Sequence, residues 1–360
     1  MNSETRALII QNTLRNTSNE SLETSVVHQI KEILNPSPER LEEIKKDLIE
    51  ELDGLGPVGA HLNDPEVTEI LIDSFALIFI EKNGHLQKTT SQFSNEIIFN
   101  RFLKKILRDI DRVADLRHPL VDGTLQDGTR VHIALPPVTA NPVISMRRHS
   151  KHNWSLGDLS KKGLFSERIL TKLKAKIEKK SNILICGATG CGKTTLLRSL
   201  IREVIASERV ITVEDTSELA LTRLNTVSLL TRISLEGLFP AITLNDLLKN
   251  ALRMRPDRLV VGEIRSEEAL VFLDAISTGH TGSMSSIHGS SATQALSRLE
   301  HLVSRAAPGW SMDSIRKLIY EGVDLVIVLG RKNGIRQVFE IVELAGLESF
   351  GYLFESWPLD

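Results

Sequence analysis

Cysteine is almost missing from this chain of 360 residues, which holds two, Cys186 and Cys191. That excludes a disulfide framework and a four-cysteine zinc module, and it suits a reducing compartment. Aromatic residues are scarce at 4%. With no aromatic-basic alternation either, the pattern of a single-strand nucleic-acid groove is missing, and no nucleic acid is expected as a partner. Charge of either sign is not in excess: 44 Lys and Arg stand against 46 Asp and Glu, a net charge of −2. No global field therefore favours a polyanion. No apolar run approaches the ~20 residues that span a bilayer. The opening Met-Asn-Ser-Glu-Thr-Arg is not followed by a signal-type apolar core. Work at a membrane would then be done from the cytoplasmic face, through partners. What is there, 41% hydrophobic and 25% charged residues, describes an ordinary globular chain of about two domains.

Residues 1–45 read as polar helices. Ser21 to Leu34 has helical spacing and is ended by Pro36 and Pro38; a second amphipathic helix covers Glu39 to Leu52. Gly54-Leu-Gly-Pro57 breaks the pattern. Val67–Ile72 and Leu77–Glu81 are β-rich, with Asn83-Gly84 as a hairpin signal after them. A helix over Phe99–Arg112 and strands at Arg130–Leu135 and Val143–Arg147 complete a mixed first half, which argues an α+β domain over 46–150. The chain loses periodicity at 151–160, read as a linker. From 161 to 360 strands alternate with helices, the pattern of a largely parallel α/β sheet; its strands include Asn182–Cys186, Val210–Val213 and Leu259–Val261. A lysine-rich stretch from Lys161 to Lys180 reads either as a solvated helix face or as a contact with a neighbouring subunit or an anionic membrane surface.

The chemistry concentrates at Gly187-Ala188-Thr189-Gly190-Cys191-Gly192-Lys193-Thr194-Thr195. The run fits G-x-x-x-x-G-K-[ST], follows a short apolar strand and opens a helix from Thr194 to about Val204. Glycines let the backbone curl so that successive N–H groups point at phosphate oxygens, and the helix N-terminus adds its positive end. Lys193 supplies a point charge for the β- and γ-phosphates, and Thr194 offers a hydroxyl to Mg²⁺. A nucleoside triphosphate, ATP with Mg²⁺, is the expected ligand. Hydrolysis also needs a carboxylate to hold the cation or orient water. Glu263, after the apolar Leu259–Val261, falls at a strand's C-terminal end, the edge where open parallel sheets bind ligands. Glu214-Asp215 ends another strand; the pair reads as a cation site or as a helix cap with neighbours. Thr278-Gly-His280 to His288 sets two histidines in a Gly- and Ser-rich loop, with His280 expected to meet the γ-phosphate through a ring N–H.

The order of phosphate loop, Val-Glu-Asp, Arg-Pro-Asp-Arg…Gly-Glu-x-Arg and Thr-Gly-His…His resembles the ATPases of type II secretion, type IV secretion and pilus machines. Leu252–Arg265, Gly54–Pro57, Asn63–Ile70, Val121–Val131 and Arg298-Leu-Glu300 are most similar to the CpaF branch, the tight-adherence (Flp) pilus ATPases. The resemblance implies a RecA-like P-loop domain behind an N-terminal domain, a homohexamer, and a cytoplasmic location peripheral to the inner membrane, docked on a platform protein. It implies Lys193 and Thr194 on phosphate and Mg²⁺, Glu214 in the aspartate box, Glu263 as the Walker B carboxylate, and His280 and His288 in the histidine box. It also gives Arg130 and Arg147 a role as charge clamps on the γ-phosphate, whereas alone they read as strand-edge arginines. The implied function is an ATP-driven motor for pilus assembly or for type II/IV secretion. The alternatives are a conjugation-type secretion ATPase and a weakly hydrolysing regulatory subunit. Two departures stand out. Cys191 occupies a position where the family usually has serine, and a thiol at a helix N-terminus is expected to have a lowered pKa and to be open to oxidation. Leu230 replaces a glutamate ahead of Arg232, so neither carries a role.

Overall fold

The computed structural model describes residues 3–16, 21–82, 84–148, 153–232, 234, 239–332, 334–348 and 351–359. Two compact units divide the chain, Met1–Lys151 and His152–Asp360.

The first unit opens with helices α1 (Ser3–Asn16), α2 (Leu22–Leu34), α3 (Pro38–Asp53) and the short α4 (Gly59–Asn63). Strands β1 (Val67–Ser74), β2 (Leu77–Lys82) and β3 (His85–Lys88) lead to α5 (Glu96–Asp109), and β4 (Leu120–Thr124), β5 (Arg130–Ala134) and β6 (Val143–Arg147) close it. The strands form one antiparallel sheet in the order β3-β2-β1-β6-β5-β4. Alternation sends Ile70, Ile72, Ile78, Ile144, Met146 and Ile133 to one buried face. The helices cover that face: Ile98, Phe99, Phe102, Leu103 and Ile106 recur at helical spacing along α5, whose N-cap Asn95 accepts from the Ile98 amide at 3.0 Å. Ile9, Ile10, Val26 and Ile30 join the same core, and Arg6 of α1 donates to Glu51 of α3 at 2.6 Å. The helices of residues 1–45 thus share the core of the unit they precede. Of the hairpin signal Asn83-Gly84, Asn83 lies outside the described residues, and β2 and β3 pair antiparallel on either side of it.

The second unit runs α6 (Leu156–Lys161), α7 (Glu167–Glu178), β7 (Ile183–Gly187), α8 (Lys193–Arg202), β8 (Val210–Glu214), β9 (Thr226–Leu230), α9 (Leu244–Ala251) and β10 (Arg258–Val261). It continues through α10 (Glu268–Ser277), β11 (Met284–Ile287), α11 (Ala292–Ala306), α12 (Met312–Gly322), β12 (Leu325–Lys332), β13 (Ile335–Glu348) and β14 (Gly351–Ser356). The sheet order is β14-β13-β12-β7-β11-β10-β8-β9, parallel from β12 to β9, with β13 and β14 antiparallel at one side. Central strands β7, β8, β10 and β11 are buried along their whole length, as continuous apolar strands between two helical layers must be. Ile183 and Ile185 pack toward α6–α8, and Leu184 and Cys186 toward α9–α12. In the stretch read as a linker, residues 151 and 152 lie outside the described residues, and Leu156 already begins α6. Its polar residues form a capping box: Ser155 Oγ accepts from the Asp158 amide at 3.1 Å, and Asp158 Oδ2 from the Ser155 amide at 2.9 Å.

Candidate nucleotide site

The phosphate loop leaves the C-terminal end of β7 and enters α8 at Lys193, with Gly190 at φ +71° and Gly192 at φ +105°. Only glycine takes such angles without strain, so the loop's curl is written by these two positions. Gly187 is needed for another reason. A Cβ there would lie 2.7 Å from the Leu329 carbonyl of β12 and against Cys191 Sγ. Cys191 itself turns into the buried cluster that also holds Leu196, Leu329 and Val338 and is 2% exposed. Burial pushes its thiol pKa up, and pushes that of Cys186 up to about 11. This overturns the expected lowered pKa at Cys191: the helix end is present, but loss of water around the sulfur outweighs it.

Four elements bring charge to the loop because their strands end on one edge of the sheet. Lys193 Nζ donates to the carbonyls of Gly187 (2.9 Å) and Ala188 (3.2 Å). It lies 3.3 Å from His288 Nδ1 and 3.7 Å from Glu263 Oε1. Glu263 follows β10, and His288 follows β11 with its Nε2 2.9 Å from Glu263 Oε1. Burial holds His288 below the usual imidazole range, and the Lys193 cation adds to this against the pull of Glu263. The other Glu263 oxygen, Oε2, takes Arg265 Nε at 2.7 Å, with Arg265 Nη2 on the same atom. Arg265 Nη1 continues to Asp215 Oδ2 at 3.1 Å. Glu214, at the end of β8 and 3% exposed, accepts on Oε1 from the amides of Glu218 (3.0 Å) and Leu219 (2.9 Å). Its Oε2 is a buried oxygen with no hydrogen-bond partner among the described residues. Burial raises the Glu214 carboxyl to about 7. Thr194 Oγ1 donates to Glu218 Oε2 at 3.0 Å.

The structure thus gathers Gly187 to Thr195, Glu214, Glu263 and His288 on one edge. It does not bring His280 there. His280 precedes β11, and its neighbours belong to the opposite edge: Ser283 N donates to Asn182 Oδ1 (3.1 Å) ahead of β7, and Arg258 Nη1, opening β10, donates to the Gly282 carbonyl (3.3 Å). A strand of four residues separates the two histidines by about 13 Å, so a residue before it and one after it cannot meet the same phosphate. Arg130 and Arg147 lie in the first unit, directly opposite each other on β5 and β6, with Arg147 Nε 3.7 Å from Glu69 Oε1. Glu218 and Arg265 were missed in the sequence, although Glu218 stands four residues after Glu214 and Arg265 belongs to the Gly-Glu-x-Arg run. Much of the lysine-rich stretch is paired inside its unit: Lys174 with Glu203 (3.2 Å), Lys176 with Glu343 (2.5 Å) and Lys180 with Glu208 (3.1 Å).

Residues 51–332 match the family model described as Type II/IV secretion system protein. The chain belongs to this family. Among curated relatives, the probable conjugal transfer protein TrbB of Sinorhizobium fredii is 32% identical over 299 residues, covering 82% of this chain and 88% of TrbB. VirB11, a type IV secretion system protein of Bartonella quintana, is 30% identical over 327 residues, covering 80% of this chain and 91% of VirB11. The fold is that of the Legionella pneumophila ATPase DotB, with a TM-score of 0.57, 22% identity, and coverage of 80% of this chain and 79% of DotB. In family terms the second unit is the RecA-like P-loop domain and the mixed helical and antiparallel unit is the N-terminal domain.

A divalent cation suits this edge. Among the described residues no group of three or more His, Cys, Asp and Glu side chains could cage a metal. Mg²⁺ needs no cage: it keeps water and is held by one or two carboxylates together with substrate phosphates. Among the described residues the buried Glu214 Oε2 lacks a hydrogen-bond partner, and Glu263 Oε1 receives no well-aligned hydrogen bond although Lys193 and His288 lie beside it. Glu214 Oε2 and the Thr194 hydroxyl are the groups that would hold it, and Glu263, expected as a third ligand, keeps its Oε1 beside Lys193 and His288.

Proposed function

We propose that this chain is the ATP-hydrolysing motor subunit of a conjugation-type type IV secretion system. The observation that carries the chemistry is the convergence of Lys193, Glu263, His288 and Glu214 on one glycine-rich loop at the C-terminal edge of a parallel sheet. The TrbB and VirB11 relatives, with names from conjugal transfer and type IV secretion, favour this branch over the tight-adherence pilus branch that the first-half motifs resemble. The loop amides and the α8 N-terminus receive the triphosphate. Lys193 exchanges the carbonyls of Gly187 and Ala188 for phosphate oxygens. Mg²⁺, held by Glu214 and the Thr194 hydroxyl, would supply charge neutralisation for the phosphate oxygens. Glu263 orients the attacking water through Oε1, while Arg265 holds its other oxygen and His288 faces the same carboxylate. Arg130 and Arg147 act as the charge clamps of the N-terminal domain, and the ring is a homohexamer whose opening and closing does mechanical work. No described helix is long and apolar enough to cross a membrane. The proposed station, which rests on the family resemblance, is the cytoplasmic face of the inner membrane, with an integral platform protein as the docking partner.

Steady-state Mg²⁺-ATP hydrolysis against protein concentration, with Glu263→Gln alongside, tests the reading. Specific activity should rise with concentration as the ring assembles, and Glu263→Gln should lower turnover by about 10²- to 10⁴-fold while nucleotide still binds. Binding without turnover at every concentration would move the protein to a regulatory, weakly hydrolysing role.

A further inference from the structure

The β12–β13 hairpin carries a cation cluster that the site above does not use: Arg331, Lys332 and Arg336, with no acidic residue before Glu340. Arg331 and Arg336 face each other across the two strands. Both reach the phosphate loop. Arg331 Nη2 donates to the Gly190 carbonyl at 2.9 Å, and Arg336 Nε donates to the same oxygen at 3.2 Å. Arg331 forms no ion pair among the described residues, so its charge is committed to this neutral acceptor. The family match ends at residue 332, which leaves Arg336 outside it.

The acceptor is a consequential one. Gly190 sits at φ +71° at the turn of the loop, and its C=O shares a rigid plane with the Cys191 N–H, which points the opposite way. With the carbonyl held outward on two guanidinium groups, the Cys191 amide faces inward, where it donates to the Ala188 carbonyl at 3.4 Å. A glycine peptide would otherwise turn over at little steric cost. Turning it would aim an oxygen, instead of an N–H, at an incoming phosphate.

We infer that Arg331 and Arg336 are positioning residues for the phosphate loop: a clasp on the Gly190–Cys191 peptide that keeps the loop's amides facing the triphosphate before it arrives. Charge-assisted bonds suit the task because each is stronger than a neutral one, and two on one atom fix its direction. The inference rests on the nucleotide reading above for its purpose, and on the loop geometry alone for its existence.

Two readouts on the full chain separate these. The first is hydrogen exchange of the 187–195 amides in nucleotide-free protein, comparing wild type, Arg331→Ala with Arg336→Ala, Arg336→Lys, and Lys332→Ala. The second is affinity for a fluorescent ADP analogue with Mg²⁺. The double variant should exchange its loop amides faster at an unchanged thermal midpoint and bind the analogue about 10- to 100-fold more weakly. Arg336→Lys, which keeps a donor, should fall between the double variant and wild type. Lys332→Ala, which removes one cation of the same hairpin but no bond to the loop, should change neither readout. Unchanged exchange in the double variant overturns the clasp. So does an equal affinity loss in Lys332→Ala, which would assign the effect to the field of the hairpin. If wild type itself binds no analogue, the nucleotide reading fails, and exchange still decides the clasp.

Discussion

Glu214 gives the sharpest test of how this site trades stability for chemistry. It is 3% exposed, one oxygen accepts two backbone amides, and the other has no hydrogen-bond partner among the described residues. Burial lifts its carboxyl from the ordinary 4.5 to about 7. A group whose folded-state pKa is raised contributes stability that is complete below 4.5 and is lost as pH climbs through about 7. At about 1.4 kcal/mol per pH unit, the ionised form costs the folded protein about 3 kcal/mol at pH 8.5 and under about 1 kcal/mol at pH 5. Glu214→Gln keeps the acceptor for the Glu218 and Leu219 amides and removes the charge. For a unit of about 200 residues, 1 kcal/mol moves the midpoint by about 2–4 °C. The variant's calorimetric midpoint, taken without nucleotide, should therefore gain on wild type by about 4–8 °C at pH 8.5 relative to the difference at pH 5. Any constant offset reads how well the amide fits; the pH-dependent part reads the charge. Adding Mg²⁺ and nucleotide should stabilise wild type more than the variant. Parallel midpoint curves from pH 5 to 8.5 would refute the reasoning, since they would mean that Glu214 ionises without cost.

The two histidines should behave differently: His288→Ala weakens Mg²⁺-nucleotide binding in a fluorescence titration, and His280→Ala leaves it unchanged, because they stand at opposite ends of β11. Equal losses would put His280 back at the phosphate edge. With both thiols buried and their pKa values raised, neither Cys186 nor Cys191 should react with Ellman's reagent in the native protein at pH 7.5, and both should react after unfolding in guanidinium chloride. Rapid native reaction of one thiol would restore the expectation that Cys191 is open to oxidation.

Much of this protein was legible in its sequence, because the decisive signals are local. The apolar run before Gly187, the loop glycines and the periodic helices report backbone angles and burial that neighbouring residues settle between themselves. Strand ends are also local, which is why Glu263 and Glu214 could be placed at the ligand edge from their positions alone. What the sequence could not report is direction and distance across the fold. His280 and His288 lie in one glycine-rich stretch, and only the path of β11 shows that they serve opposite edges. Cys191 sits at a helix N-terminus, which lowers a thiol pKa in water; tertiary burial in the cluster that holds Leu329 and Val338 removes the water and reverses the sign. Arg331 and Arg336 lie more than a hundred residues from Gly190 and acquire a partner only because β12 pairs beside β7. Sequence determined which backbone would curl around a phosphate; tertiary structure decided which charges surround it, because electrostatic contact depends on distance in space and not on separation along the chain.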